Sequence, residues 1–269
     1  MSPAEPLRQI EDALRNLRLD VESVEDTFNV QQGTGIMAHR AHLDPRPLLA
    51  ALSDDPHRRR RQIAGFANGV KHVLLEPVRS SADEWDFVES AGRLVPSLQV
   101  STFAEGVRQA ADDSPWTVPF VDDLVFAYFI QLDRGLRALT TSQVERWGVS
   151  DDRITSAGRS LLFHKTRNLD FEPFKSYAGV ERLHAGDDLD AARCLVVADV
   201  FYSDLGPDFC FAIPSTSHFL AVQRATSDNR ARLQRAADEV YQDAHIPLST
   251  RLFRFDTGKP IPLENEAHD

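Results

Sequence analysis

Strand-forming segments in this chain arrive in adjacent pairs rather than singly between helices, and that pairing constrains the fold more than any other feature. Residues 21–31 and 35–43 carry short, partly alternating apolar patterns on either side of Gln32-Gly33-Thr34-Gly35, which reads as two strands and a turn. Residues 116–120 and 124–132, rich in aromatic and β-branched side chains, form a central hairpin pattern, with Asp133-Arg134-Gly135 turning into residues 136–139. A third pair spans 209–213 and 218–223, and a last hairpin turns at Asp256-Thr257-Gly258-Lys259 after residues 251–255. A parallel doubly wound sheet needs a crossover after each strand, so antiparallel or mixed sheets flanked by helices are expected, an α+β fold.

The helices announce themselves by apolar spacing and by their starts. Leu7, Ile10, Leu14 and Leu17 share one face after Ser2, Pro3 and Glu5 at capping-box positions. Asp44-Pro45 and Asp55-Pro56 each read as an N-cap followed by proline, the second opening a helix with Ile63, Phe66, Val70 and Val73. Ser81 with Glu84 and Ser142 with Glu145 have capping-box spacing, Gly148 suits a helix end, and Ser150 opens a helix through Ile154, Ala157 and Leu161. Further helices are expected near 188–200 and 228–244. With Pro77 as a stop, the chain divides into an N-terminal α+β unit (1–78), a linking helix (79–96) and a C-terminal α+β domain (97–269).

Three segments carry a resemblance. Residues 115–128 (PWTVPFVDDLVFAY), 144–149 (VERWGV) and 211–214 (FAIP) leading into 219–222 (FLAV) resemble the bacterial YtpQ-like family, catalogued as domain of unknown function 1444. The similarity runs over roughly the last two thirds of the chain and includes 246–255. It implies a similar order of strands and turns; the family brings no agreed activity, cofactor or catalytic residue.

The chain begins Met1-Ser2-Pro3 without a basic and apolar leader, and no run approaches the roughly 18 apolar residues of a membrane span, so a cytoplasmic protein without a membrane partner is expected. Cys194 and Cys210 lie in apolar runs and read as buried thiols of a reducing compartment. A net charge of −11 argues against a general nucleic-acid binder.

Each chemically suggestive group has a plainer reading beside it. His39, His42 and Asp44 are metal-capable within six residues, yet residues three apart on a strand face opposite sides. Arg58-Arg59-Arg60-Arg61 covers a whole helical turn, so it reads as a solvated helix start, with a phosphate or acidic-partner patch as the alternative. Asp122 and Asp123 open the most apolar strand, where a half-buried carboxylate could serve as acid or base. Asp256-Thr257-Gly258 has the triplet of aspartic proteases but the residues of a hairpin turn. Trp116, Trp147, Phe201 and Tyr202 read as packing residues, and neither Gly33-Thr34-Gly35 nor Gly258-Lys259 has the context of a nucleotide loop.

No convergent catalytic set emerges, and nothing calls for a cofactor. The leading expectation is therefore a non-enzymatic binding or accessory protein whose two units form a groove for a protein or peptide partner. Two alternatives stand beside it: a carboxylate-dependent enzyme using Asp122 or Asp123 at a domain cleft, and an anion or nucleic-acid binder using Arg58 to Arg61. Oligomeric state is left open.

Overall fold

The apolar face at Ile10 and Leu14 forms helix α1 (Ala4–Asn16), with both side chains fully buried. The computed structural model describes residues 4–32, 39–74, 85–111, 113–132, 135–201, 206 and 208–263, except the side chain of residue 4. The expected caps at Ser2 and Ser81, the turns at 33–35 and 133–134, Pro77 and Tyr202 lie outside them.

Strands β1 (Asp20–Val24), β2 (Thr27–Gln32) and β3 (His39–Leu43) form one antiparallel sheet in that order. Residues 21–31, expected as one strand, are therefore a hairpin, turning where Glu25 takes a left-handed φ of 52°. The acidic Glu25-Asp26 pair contains neither glycine nor asparagine, the residues that mark such a turn in sequence. Helix α2 (Arg46–Ala51) starts one residue later than expected, because Pro45 holds the cap position and the Asp44 carboxylate accepts from the Arg46 N–H. Helix α3 (Pro56–Leu74) does start at Pro56, where the Asp55 carboxylate accepts the His57 N–H at 2.9 Å. Ile10, Leu14, Phe28, Leu43, Phe66 and Val70 join these elements into one apolar cluster.

The expected linking helix over 79–96 is corrected by two elements. Helix α4 (Phe87–Ala91) carries a capping box made by Asp86 and Glu89, and Leu94 begins strand β4 (Leu94–Val100). Every residue of β4 is buried, so its sequence lacks the alternation of a half-exposed strand. It leads into helix α5 (Thr102–Ala111).

Helices α3 and α5 cross with their backbones in contact. A Cβ on Gly106 would stand 2.1 Å from the Phe66 carbonyl oxygen, and one on Gly69 would stand 2.3 Å from that of Phe103. Only hydrogen at both positions allows this approach. Gly106→Ala is expected to lower stability by about 1–3 kcal/mol through overpacking, despite alanine's higher helix propensity. Urea denaturation checks this; a variant as stable as the wild type would show that the helices separate freely.

The second sheet joins β4 to β6 (Leu124–Leu132), with β5 (Thr117–Pro119) and β7 (Gly135–Ala138) both paired to the far edge of β6. Helix α6 (Thr141–Trp147) ends at Gly148 with φ 61° as expected, but its cap position is Thr140. Ser142 instead donates its hydroxyl to Asp113 at 2.6 Å, which corrects the expected Ser142–Glu145 capping box. Helix α7 (Asp151–Thr166) packs on β4, and the Trp147 indole N–H donates to the Trp85 carbonyl.

The third sheet takes β8 (Phe171–Pro173) and β9 (Glu181–Leu183), then, after a 3-10 turn at Ala191–Leu195 and helix α8 (Val197–Val200), strands β10 (Cys210–Ser215) and β11 (His218–Val222). Helix α9 (Ser227–Asp243) and strands β12 (Leu252–Asp256) and β13 (Lys259–Pro262) complete it, in the order β13-β12-β10-β11-β9-β8. One face sends Phe211, Phe219 and Phe253 into the largest core cluster; the other sets Cys210, Ala212 and Leu220 against Leu233, Ala236 and Ala237 of α9. Burial raises both thiols, that of Cys210 to about 11 against the opposing pull of Arg230, so neither is a ready nucleophile. Thr257 and Gly258, with φ of 48° and 77°, make the β12–β13 hairpin turn. Every strand pairing among the described residues is antiparallel, and the fold is α+β. No helix among them is long and apolar enough to cross a membrane.

Candidate functional site

Two features singled out separately in the sequence meet in space. The turn before β6 carries Asp123 inward, with its side chain 8% exposed, where Arg61 pairs with it at 2.6 Å and Arg58 at 3.5 Å. Asp122, at a left-handed φ of 52°, points instead to Arg251 at 3.0 Å. The rest of the arginine run is engaged with main chain. Arg59 donates to the carbonyls of Ser53 and Asp54, and Arg60 donates to those of Tyr241, Gln242 and Ala244 at the end of α9. A guanidinium on the last carbonyls of a helix satisfies groups the helix itself leaves open. Tyr241 returns a hydroxyl hydrogen bond to the His57 carbonyl at 2.8 Å. The arginine run thus fastens α3 to α9 and to the β5–β6 turn.

His39 and His42 both lie on β3, and the His42 imidazole pairs with Asn29 at 2.9 Å. Asp44 is held by Arg46, whose guanidinium brings its carboxyl down to about 2. No cluster of three or more potential metal ligands occurs among the described residues.

The polar side chains that converge lie elsewhere, in a cavity of about 770 Å³ where α3, β4, the β6–β7 pair, the β10–β11 turn and residues 243–246 approach one another. Ligand sites run to roughly 300–1,000 Å³. On α3, Asn68 and His72 are one turn apart and so share a face. Asn68 donates to Gln99 at 3.1 Å, and Gln99 donates to Ser97 at 2.9 Å along β4. All three are at least nine-tenths buried, so an amide–amide–hydroxyl chain lies at the base of the cavity.

Across from it, the β10–β11 turn presents Ser215, Thr216, Ser217 and His218. The Ser215 hydroxyl lies 2.8 Å and the Ser217 hydroxyl 3.3 Å from the His218 Nδ1. The turn is anchored from both sides: the Ala191 N–H donates to the Thr216 carbonyl, and the Leu248 N–H to that of Pro214. Burial lowers the His218 pKa, with Asp190 opposing and His184 and Arg182 assisting. Burial, aided by Lys71, brings His72 down to about 4, its ring 5.0 Å from that of Phe129. Both imidazoles are neutral at pH 7.

Behind this wall sits a buried ion cluster. Arg193 is wholly enclosed and bonds Asp187 at 2.9 and 3.0 Å and the equally buried Asp190 at 2.9 Å; Asp190 also accepts from the Ala185 N–H and pairs with His184. Asp187 and Asp188 line the cavity from this loop.

No protein-family model, curated protein or solved structure matches the chain. The chemistry of the cavity therefore rests on its own residues. It offers amides, hydroxyls and neutral imidazoles at its base and walls, with charged groups of both signs among its other lining residues: Arg18, Lys71, Asp187, Asp188 and Asp243. Asp122 and Asp123 do not line it, nor do Arg58 to Arg61, His39 and His42. Asn68, His72, Ser97, Gln99 and His218 carry no motif; the polar interruptions of the apolar β4 run signal Ser97 and Gln99, and nothing local marks the other three.

Proposed function

We propose that this protein is a non-enzymatic binding protein that takes a small polar ligand into the cleft between its N-terminal and C-terminal units. The buried Asn68–Gln99–Ser97 chain facing the hydroxyl-bearing β10–β11 turn across the cavity supports this reading most directly. Buried polar side chains are retained where their hydrogen bonds are satisfied, and a cavity edged with them favours a polar occupant over an apolar one. Ser215 and His218 do not by themselves make a nucleophile and base: the Nδ1 of His218 is shared with Ser217, and both thiols are held protonated by burial. Two free cysteines fit a reducing compartment, and we place the protein in the cytoplasm.

Native mass spectrometry of the protein purified from its own host tests the proposal. A mass excess of small-molecule size is expected, released unaltered on denaturation and lost in Leu136→Trp, which fills the cavity from β7. An excess that persists in that variant places the ligand elsewhere, and a bare chain or a ligand released as two fragments counts against a binding protein.

A further inference from the structure

The donors and acceptors at the base of the cleft restrict its ligand further, on the reading that the cleft is the binding site. Asn68, Gln99, Ser97, Ser215, Thr216 and Ser217 each both donate and accept, and none carries charge. A carboxylate or phosphate offers acceptors only and would use just the donor half of these groups, and the lining cations, Arg18 and Lys71, are exposed and partly covered rather than buried at the base. An ammonium offers donors only and would find no carboxylate among the buried lining side chains: Asp187 is drawn to Arg193, and Asp188 and Asp243 are exposed. Burying an unpaired charge against neutral dipoles costs far more than burying a hydrogen-bonded neutral group.

A hydroxyl is the ligand group that donates and accepts on one atom, so it can join the Asn68–Gln99–Ser97 chain at one end and the Ser215–Ser217 turn at the other without leaving a partner open. Several hydroxyls at short spacing match several such side chains. Leu17, Leu136 and Ile246, each partly covered, supply apolar wall for the carbon skeleton of the same molecule.

We infer that the cleft binds an uncharged polyhydroxyl compound of the sugar or cyclitol class, held by Asn68, Ser97 and Gln99 on one side and by Ser215, Ser217 and His218 on the other. The neutral state of His72 and His218 agrees with an uncharged guest.

Isothermal titration calorimetry of the intact chain with D-glucose, maltose and myo-inositol, set against inorganic phosphate, citrate and spermidine at matched ionic strength, decides the matter. Saturable heat from at least one neutral probe and none from the charged ones is expected. Gln99→Glu, nearly isosteric but charged and short of a donor, is expected to weaken that binding at least about tenfold, and Ser217→Ala on the partly exposed turn about threefold or more. Should Gln99→Glu fail to fold, the Ser217→Ala titration carries the test alone. Saturable binding of phosphate, citrate or spermidine instead, lost in Leu136→Trp, overturns the sugar inference while leaving the cleft as the binding site. Heat from no probe overturns it as well, and a host-derived ligand seen by mass spectrometry would then keep the binding proposal standing on its own.

Discussion

Arg193→Met is expected to destabilise the protein by about 3–5 kcal/mol, the cost of breaking a buried ion pair from one side. The guanidinium is wholly enclosed and bonds Asp190, which is equally enclosed, and Asp187 at the cavity wall. Methionine fills much of the same volume, so the loss comes chiefly from a carboxylate left without its counter-charge. Asp190 keeps the Ala185 N–H and His184, which do not replace a guanidinium. Adding Asp190→Asn to Arg193→Met is expected to restore about half of the loss, because a neutral amide can stay buried there on the same N–H. Urea denaturation of the two variants measures both effects. A single variant within 1 kcal/mol of the wild type would mean that water reaches the cluster.

Lowering the pH from 6.5 to 4 is expected to remove about 3 kcal/mol of stability through His72 alone. Its pKa falls from the ordinary 6.5 to about 4 in the fold, first by burial and then by Lys71. Between those values the unfolded chain binds a proton that native His72 refuses, so stability falls as the pH falls; above 6.5 this group gives no slope. His218 is shifted in the same direction and adds to the same slope. His72→Phe keeps a ring against Phe103 and Phe129 while removing the titration. Denaturation midpoints of wild type and variant at pH 7, 5.5 and 4.5 separate this from the carboxylates, whose contribution the two proteins share. Parallel curves would show that the imidazole takes its proton in the folded state.

The sequence made four strands of the third sheet legible, because the β10–β11 and β12–β13 hairpins are set off by their turns, and left the three-residue β8 and β9 unmarked. Asp256-Thr257-Gly258 supplies the left-handed residues a tight turn needs, and β10 and β11 flank a two-residue turn at Thr216-Ser217. It hid β4 and α5. Pro96, Ser97 and Gln99 interrupt an apolar run that is buried along its full length, so neither strand alternation nor helical spacing reports it. Two of these interruptions, Ser97 and Gln99, are buried polar groups of the cleft, so the signal that obscured the strand also marks the candidate site. Asp123 and Arg61 were each conspicuous, but a contact across 62 residues has no local signature.

The close crossing of α3 and α5 has a kinetic consequence for the proposed binding in the cleft. Helix α3 carries Asn68 and His72, β4 with Ser97 and Gln99 runs directly into α5, and the glycine contact locks the two together at backbone distance. The Asn68–Gln99–Ser97 side of the cleft therefore belongs to one stiff frame, and the facing β10–β11 turn is anchored separately by the Ala191 and Leu248 N–H groups. On the proposed reading, complex formation on such a frame is expected to proceed as a single encounter, its observed rate in stopped-flow climbing linearly with guest concentration without the plateau that a slow isomerisation imposes.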